Sequence, residues 1–398
     1  MKLIFFVLML ITSAAGKTLA DGSDQPLAGQ NDSQVSTADA TDPAPDATGP
    51  GKSTDAAANS VAPAGQNSSE IKRPAAPVVV HVGLLTLRPT AFFDVAGVTR
   101  SDMTMDSMNT KLGKIPLADT PSGSQGTLRT SRMHLTGTIP FGEAKLTGYM
   151  ESDFMNFTAN QNMYRWRQYW GRLDYGSWEL LGGQAWSLLR PNRAGMSTEK
   201  DMMHTDLIDS GYQVGLLGSR TKQLRIVHAM GDYHAGVAWE SDGNMLGKVT
   251  HDAARLHLEA TGLAGRFARK GVTAAGVYSV TPRFRVVSQE YWSNRAIYQA
   301  LNLAPAGING YSTIEGVEAQ VRKNFEVYSY GGVVYASRSK NNRVVREWTV
   351  GFNQKVNTPS LLGNMLMSFQ YSHADRELWT GKAGVMDFVM YRVRYTFN

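Results

Sequence analysis

From residue 82 to the end of the chain, segments of about ten residues alternate polar and apolar side chains with a period of two, and turn residues separate them. In 144–154, Lys145, Thr147, Tyr149, Glu151 and Asp153 share one face, and Ala144, Leu146, Gly148, Met150 and Phe154 share the other. Period two is the signature of an extended strand whose two faces meet different surroundings. A soluble sandwich also alternates, but here the polar face carries full charges at successive positions, so it needs water along its whole length. The pattern returns in 132–139, where Arg132, His134, Thr136 and Thr138 oppose Met133, Leu135, Gly137 and Ile139. It returns again where Glu347, Thr349, Asn353 and Lys355 oppose Trp348, Val350 and Phe352, and where Arg392, Arg394 and Thr396 oppose Tyr391, Val393, Tyr395 and Phe397.

No stretch reaches the ~20 apolar residues that a membrane-crossing helix needs. The longest early run, 3–11, follows Met1-Lys2 and precedes small residues, so it reads as a secretory signal cleaved after Ala15 or Ala20. A chain that crosses a membrane without such helices crosses as a closed barrel, because every backbone polar group must then be paired. The expectation is therefore an all-β fold, a transmembrane antiparallel β-barrel. Residues 1–20 form the signal peptide, 21–77 a disordered periplasmic linker and 78–398 the barrel. Sixteen strands result if 263–268 is a short strand, and fourteen if it is not. Connections alternate short and long, with tight turns at 140–143, 174–177 and 231–232 and long links at 99–126 and 187–221, as barrel hairpins do. Aromatics near both ends of the apolar faces suit interfacial girdles.

The chain contains no cysteine, which removes disulfides, thiolate metal sites, Fe–S clusters, cysteine nucleophiles and a lipidated N-terminal anchor. Residues 21–77 hold eight acids against three bases and no Phe, Trp or Tyr, too little apolar surface to fold. With Lys2 and Lys17 apportioned to the export segment, the +6 total leaves +9 on the chain from 78 onward. That balance points to anionic small solutes and lipopolysaccharide rather than nucleic acid, which an exported chain rarely meets. Gly51-Lys52-Ser53 imitates the end of a phosphate-binding loop, but Asp46 stands where its first glycine belongs. The histidines lack metal spacing, no G-x-S-x-G elbow occurs, and neither a catalytic site nor a cofactor is expected. His134 and His257 are expected to be solvated on polar faces.

The run Tyr164-Arg165-Trp166-Arg167-Gln168-Tyr169-Trp170-Gly171, followed by Trp178 and Gly183-Gln184-Ala185-Trp186-Ser187, resembles the DcaP-like trimeric porins of Gram-negative outer membranes. Gln223-Leu224-Arg225 and the ending Tyr391-Arg392-Val393-Arg394-Tyr395-Thr396-Phe397 are weaker echoes. The resemblance spans 82–398 and implies a sixteen-stranded, homotrimeric channel for small, often anionic, solutes. Residues 21–77 lack the apolar heptads of the N-terminal coiled coil found in such porins, and Asn398 stands where an aromatic usually ends the chain.

Inward parity assigns Arg88, Arg132, Arg165, Arg167, Arg225, Arg255, Arg392 and Arg394 to the lumen, facing Glu151 and Asp153. Guanidinium keeps its charge and grips carboxylate bidentately, so such a lining favours anions. The third loop, 187–221 after those at 99–126 and 158–162, is the expected constriction, folded inward with Arg190, Arg193, Glu199, Lys200, Asp201, His204 and Asp206. The alternatives are a structural or adhesive barrel with a plugged lumen, in which these charges pair completely, and an outer-membrane hydrolase with a Ser-His pair on its outer face.

Overall fold

The computed structural model describes residues 78–102, 110–155, 164–197, 202–208, 213–295, 308–337, 342–356 and 363–397. Among them are eighteen strands in one antiparallel sheet: β1 (Val80–Val82), β2 (Leu85–Arg100), β3 (Gly123–Thr127), β4 (Arg132–Phe141), β5 (Ala144–Asp153), β6 (Arg165–Tyr175), β7 (Trp178–Trp186), β8 (Arg220–Met230), β9 (Tyr233–Glu240), β10 (Met245–Ala253), β11 (Leu256–Ala264), β12 (Lys270–Thr281), β13 (Phe284–Asn294), β14 (Gly310–Arg322), β15 (Phe325–Ala336), β16 (Asn342–Val356), β17 (Gly363–Leu378) and β18 (Ala383–Phe397). Each wall strand pairs with its neighbours in sequence, and β18 closes on β2 from Phe397 opposite Ala91 to Phe388 opposite Arg100. The wall is a closed barrel of sixteen strands. β1 and β3 are short additions that pair with opposite ends of β2, β1 with 85–87 and β3 with 96–100.

Sixteen is one of the two expected counts, but the hairpin that completes it lies elsewhere. Leu263 and Ala264 end β11, and Arg266–Ala268 is a 3-10 turn in which Phe267 takes a positive φ of 58°. The additional hairpin closes at 254–255. Arg255, assigned to the lumen by parity, consequently sits exposed in that turn, where its carbonyl accepts the Ser279 N–H at 2.8 Å. Several turns at the same end use glycine where φ is positive, as at Gly142 (58°), Gly176 (54°) and Gly231 (63°), a conformation that costs a residue with a Cβ.

The outward side chains form an apolar belt that includes Met133, Leu146, Leu180, Ile226, Val249 and Val350, all exposed. Tyr175, Trp178, Tyr233 and Tyr278 ring the belt at the turn end, and Trp166, Trp239, Trp292 and Trp348 approach its loop end. Apolar surface flanked by aromatic rings is what a hydrocarbon layer and its two interfaces select. No helix among the described residues is long and apolar enough to cross a membrane.

Candidate functional site

Of the link between β7 and β8, the described residues 187–197, 202–208 and 213–219 lie against the inner face of the wall. Its backbone reaches groups on strands from β11 round to β17, far from its anchors at β7 and β8, which it can do only across the interior. The Asn192 N–H donates to Glu259 on β11 (2.9 Å), the Thr205 N–H to the Tyr330 hydroxyl on β15 (3.0 Å), the Val214 N–H to Glu347 on β16 (2.9 Å) and the Ile208 N–H to Gln370 on β17 (3.1 Å). Apolar side chains dock alongside. Leu188, Leu189, Met196 and Leu217 pack on Val227, Ala238, Leu246, Leu263 and Tyr291, and Met203, Leu207 and Leu216 pack on Val277, Val287, Ile314, Tyr328 and Tyr330. The inner face is therefore not uniformly polar. Between β8 and β15 its apolar positions lie under the loop, and an apolar residue facing inward there is as well covered as one in a soluble core. Part of the first long link does the same near β16–β18, where Leu112 and Ile115 join Val345, Ala374, Met386 and Phe388.

With the loop seated on that side, the inner face of β18, β2 and β4–β8 carries a charged cluster. Glu151, almost fully buried, lies 2.9 Å from Arg167, 3.4 Å from Arg132 and 3.9 Å from Arg220, and it also accepts from Gln168 and Tyr149. Asp153 takes a two-point contact from Arg165 (2.9 and 2.7 Å) and a further bond from Arg167. A register shift between Glu151 and Ser152 produces this arrangement. Strict alternation cannot put both Arg167 and Gln168 inside, and the extra residue of a bulge can. Arg394 grips Asp94 at 2.7 and 2.9 Å, and Arg392 and Arg394 both reach Asp206 of the loop at 3.1 Å. Aromatic rings carry the arginines: Phe92 lies under Arg394 (3.9 Å) and Arg132 (5.5 Å), and Trp186 has Arg190 at 3.7 Å and Arg220 at 3.6 Å from its ring centre.

The other assigned residues are more dispersed. Arg88 has inward parity opposite Thr136 but lies exposed near the turn end. Arg225 is buried, donating to the Met196 carbonyl (3.2 Å) beside Glu179 (3.3 Å), so it braces the loop. Arg193 does likewise through Glu318 at 2.8 Å. His204 is buried, 3.4 Å from Arg190 Nη2, with Nδ1 2.6 Å from the Thr205 carbonyl. Burial first, and then the neighbouring positive charge of Arg190, lowers its pKa to about 3. Glu199, Lys200 and Asp201 lie outside the described residues. His134 is part-buried against the Tyr149 hydroxyl (2.6 Å), and His257 is buried between Asp252 (2.8 Å) and Glu259 (3.3 Å), so neither is simply solvated. Sequence reasoning missed Arg220, Lys248, Arg285 and Glu318. Arg220 opens a strand right after the loop, and the others stand on β10, β13 and β14. Among the described residues no group of three or more His, Asp or Glu side chains has metal-binding geometry.

No protein-family model matches the chain, and no curated protein sequence matches it. Solved structures do. The outer membrane channel DcaP of Acinetobacter baumannii superposes with a TM-score of 0.66 at 18% identity, covering 79% of this chain and 97% of that one. OmpT, an outer membrane protein of Vibrio cholerae, superposes at 0.54 with 10% identity, covering 80% and 100%, and its in-vitro folded trimer form at 0.51 with 10% identity, covering 79% and 99%. The chain thus has a DcaP-like fold, the fold of bacterial outer-membrane barrels.

Proposed function

We propose that the protein is an outer-membrane porin through which small hydrophilic solutes diffuse passively, with anions preferred, and that it assembles as a homotrimer. One observation carries the reading. On the inner wall left uncovered by the third loop, Arg132, Arg165, Arg167 and Arg220, joined by Arg190 from the loop itself, gather around two carboxylates, Glu151 and Asp153, a surplus of three positive charges. Confined water beside a low-dielectric wall strengthens each of those charges, so an anion crosses at lower cost than a cation of the same size. The inward loop narrows the passage beside the cluster. Residues 1–20 direct export, 21–77 link the signal to the barrel, and the apolar belt meets lipid and lipopolysaccharide. No chemical step is required of any residue.

The test is planar-bilayer conductance of the purified protein under a salt gradient. A reversal potential of anionic sign is the expected result, and one of cationic sign overturns the preference. Absence of conductance favours the second reading, a plugged structural barrel, to which the apolar clusters beneath both inward links lend weight. The trimer is tested by whether unheated protein migrates as one species of three times the heated mass.

A further inference from the structure

Lys248 stands mid-strand on β10 with its side chain wholly excluded from solvent. A fully buried lysine needs a partner for its charge and acceptors for its three protons. It has both. Nζ lies 2.8 Å from Glu259, and donates to the Arg190 carbonyl at 2.9 Å and to Asn192 Oδ1 at 3.0 Å. Glu259 in turn accepts the Asn192 N–H, and its far neighbour is His257, which contacts Asp252. Asp252 accepts the Gly195 N–H with both oxygens, at 3.2 and 3.1 Å. A chain of four ionisable side chains on two adjacent strands thus takes hold of the third loop at residues 190, 192 and 195.

What this grip holds in place is a repulsive arrangement. Arg190 and Arg220 face the same indole, and Arg167 and Arg132 crowd the same carboxylate that Arg220 approaches. Left to itself, Arg190 would lower its energy by swinging toward water, since like charges in a low-dielectric setting repel more strongly than in solvent. A backbone fixed at residue 190, with the Trp186 ring and His204 beside the guanidinium, opposes that. We infer that Lys248, through Glu259, is the positioning residue that keeps Arg190 in the arginine cluster and thereby sets part of the pore's ion preference. Lys248 itself meets no solute. Its effect passes through the loop.

The inference rests on reading Arg190 as a selectivity charge, and its test separates the two. In bilayers, Lys248→Met and Arg190→Gln each lower the anion-to-cation permeability ratio, by about two- to fivefold as expected for one displaced lumen charge. The double variant lowers it no further, because both changes remove the same charge from the same place. A purely structural Lys248 would alter yield or heat stability and leave the ratio of the folded channels unchanged. Lys248→Met leaves the buried Glu259 without its lysine counter-charge, so Lys248→Met with Glu259→Gln is measured beside it and serves where the single variant does not fold. An unchanged ratio in folded Lys248 variants, or fully additive effects with Arg190→Gln, overturns the inference. If the wild-type protein does not conduct, the porin reading fails alone, and trypsin decides the positioning claim. Wild-type protein in detergent resists cleavage after Arg193, the Lys248 variants are cut there, and equal resistance sinks the claim.

Discussion

Arg220→Gln isolates the electrostatic claim with the least structural disturbance. Arg220 lies 3.9 Å from Glu151, beyond hydrogen-bond reach, whereas Glu151 keeps Arg132, Arg167, Gln168 and Tyr149 as partners when Arg220 is gone. The substitution therefore subtracts one positive charge without leaving a buried carboxylate unpaired. For an ion passing at ~5 Å, one unit charge in water is worth roughly 0.8 kcal/mol, and the ~10 Å screening length of 0.1 M salt reduces that to about 0.5. That is about twofold in concentration for an anion and about twofold in the opposite sense for a cation. The anion-to-cation permeability ratio should fall about fivefold, read as a shift of the reversal potential toward zero under a tenfold KCl gradient. A ratio that stays within experimental scatter of wild type, or that rises, would refute the assignment of this cluster to the permeation path.

Glu151→Gln should act in the opposite sense, raising anion preference while lowering stability by roughly 3 kcal/mol, because several guanidiniums lose a buried counter-charge. The temperature at which the compact band converts to the unfolded one on a gel checks the second part. Acid should loosen the third loop. His204, with its pKa depressed to about 3 by burial and by Arg190, is held neutral, so its contribution is complete above the ordinary value near 6.5 and is lost as pH falls toward 3. The loss reaches about 2 kcal/mol by pH 5, against the nearby charges of Arg190, Arg193 and Asp206. His204→Gln should remove the acid-dependent part of any rise in current noise, and noise that grows equally in both proteins would dismiss His204 as its source. Gly332→Ala should unseat residues 213–217, since a Cβ there would stand 1.9 Å from the Val214 carbonyl oxygen. Conductance should rise while the folded, heat-modifiable band persists, and an unchanged channel would show that the close approach does not matter.

The closed antiparallel wall was legible in the chain alone because membrane and water impose it locally. Each strand must alternate to meet its two surroundings, and each turn announces itself through glycine or charge, so parity assigned Arg132, Glu151, Asp153, Arg392 and Arg394 to the face on which they stand. The third loop could be located for the same reason, as the longest interruption after 186. What alternation does not encode is which inward residue meets which. The bulge at Glu151 brings Arg167 and Gln168 together on one side, the hairpin at 254–255 takes Arg255 out of the lumen, and the inward apolar positions of β12–β15 make sense only once Leu207 and Leu216 lie on them. Lys248 read as one more lysine in a strand until residues 190 and 192, more than fifty positions earlier, closed over it. Pairings across such separations depend on how the loop settles inside a finished barrel, and the packing that decides them belongs to the folded molecule as a whole.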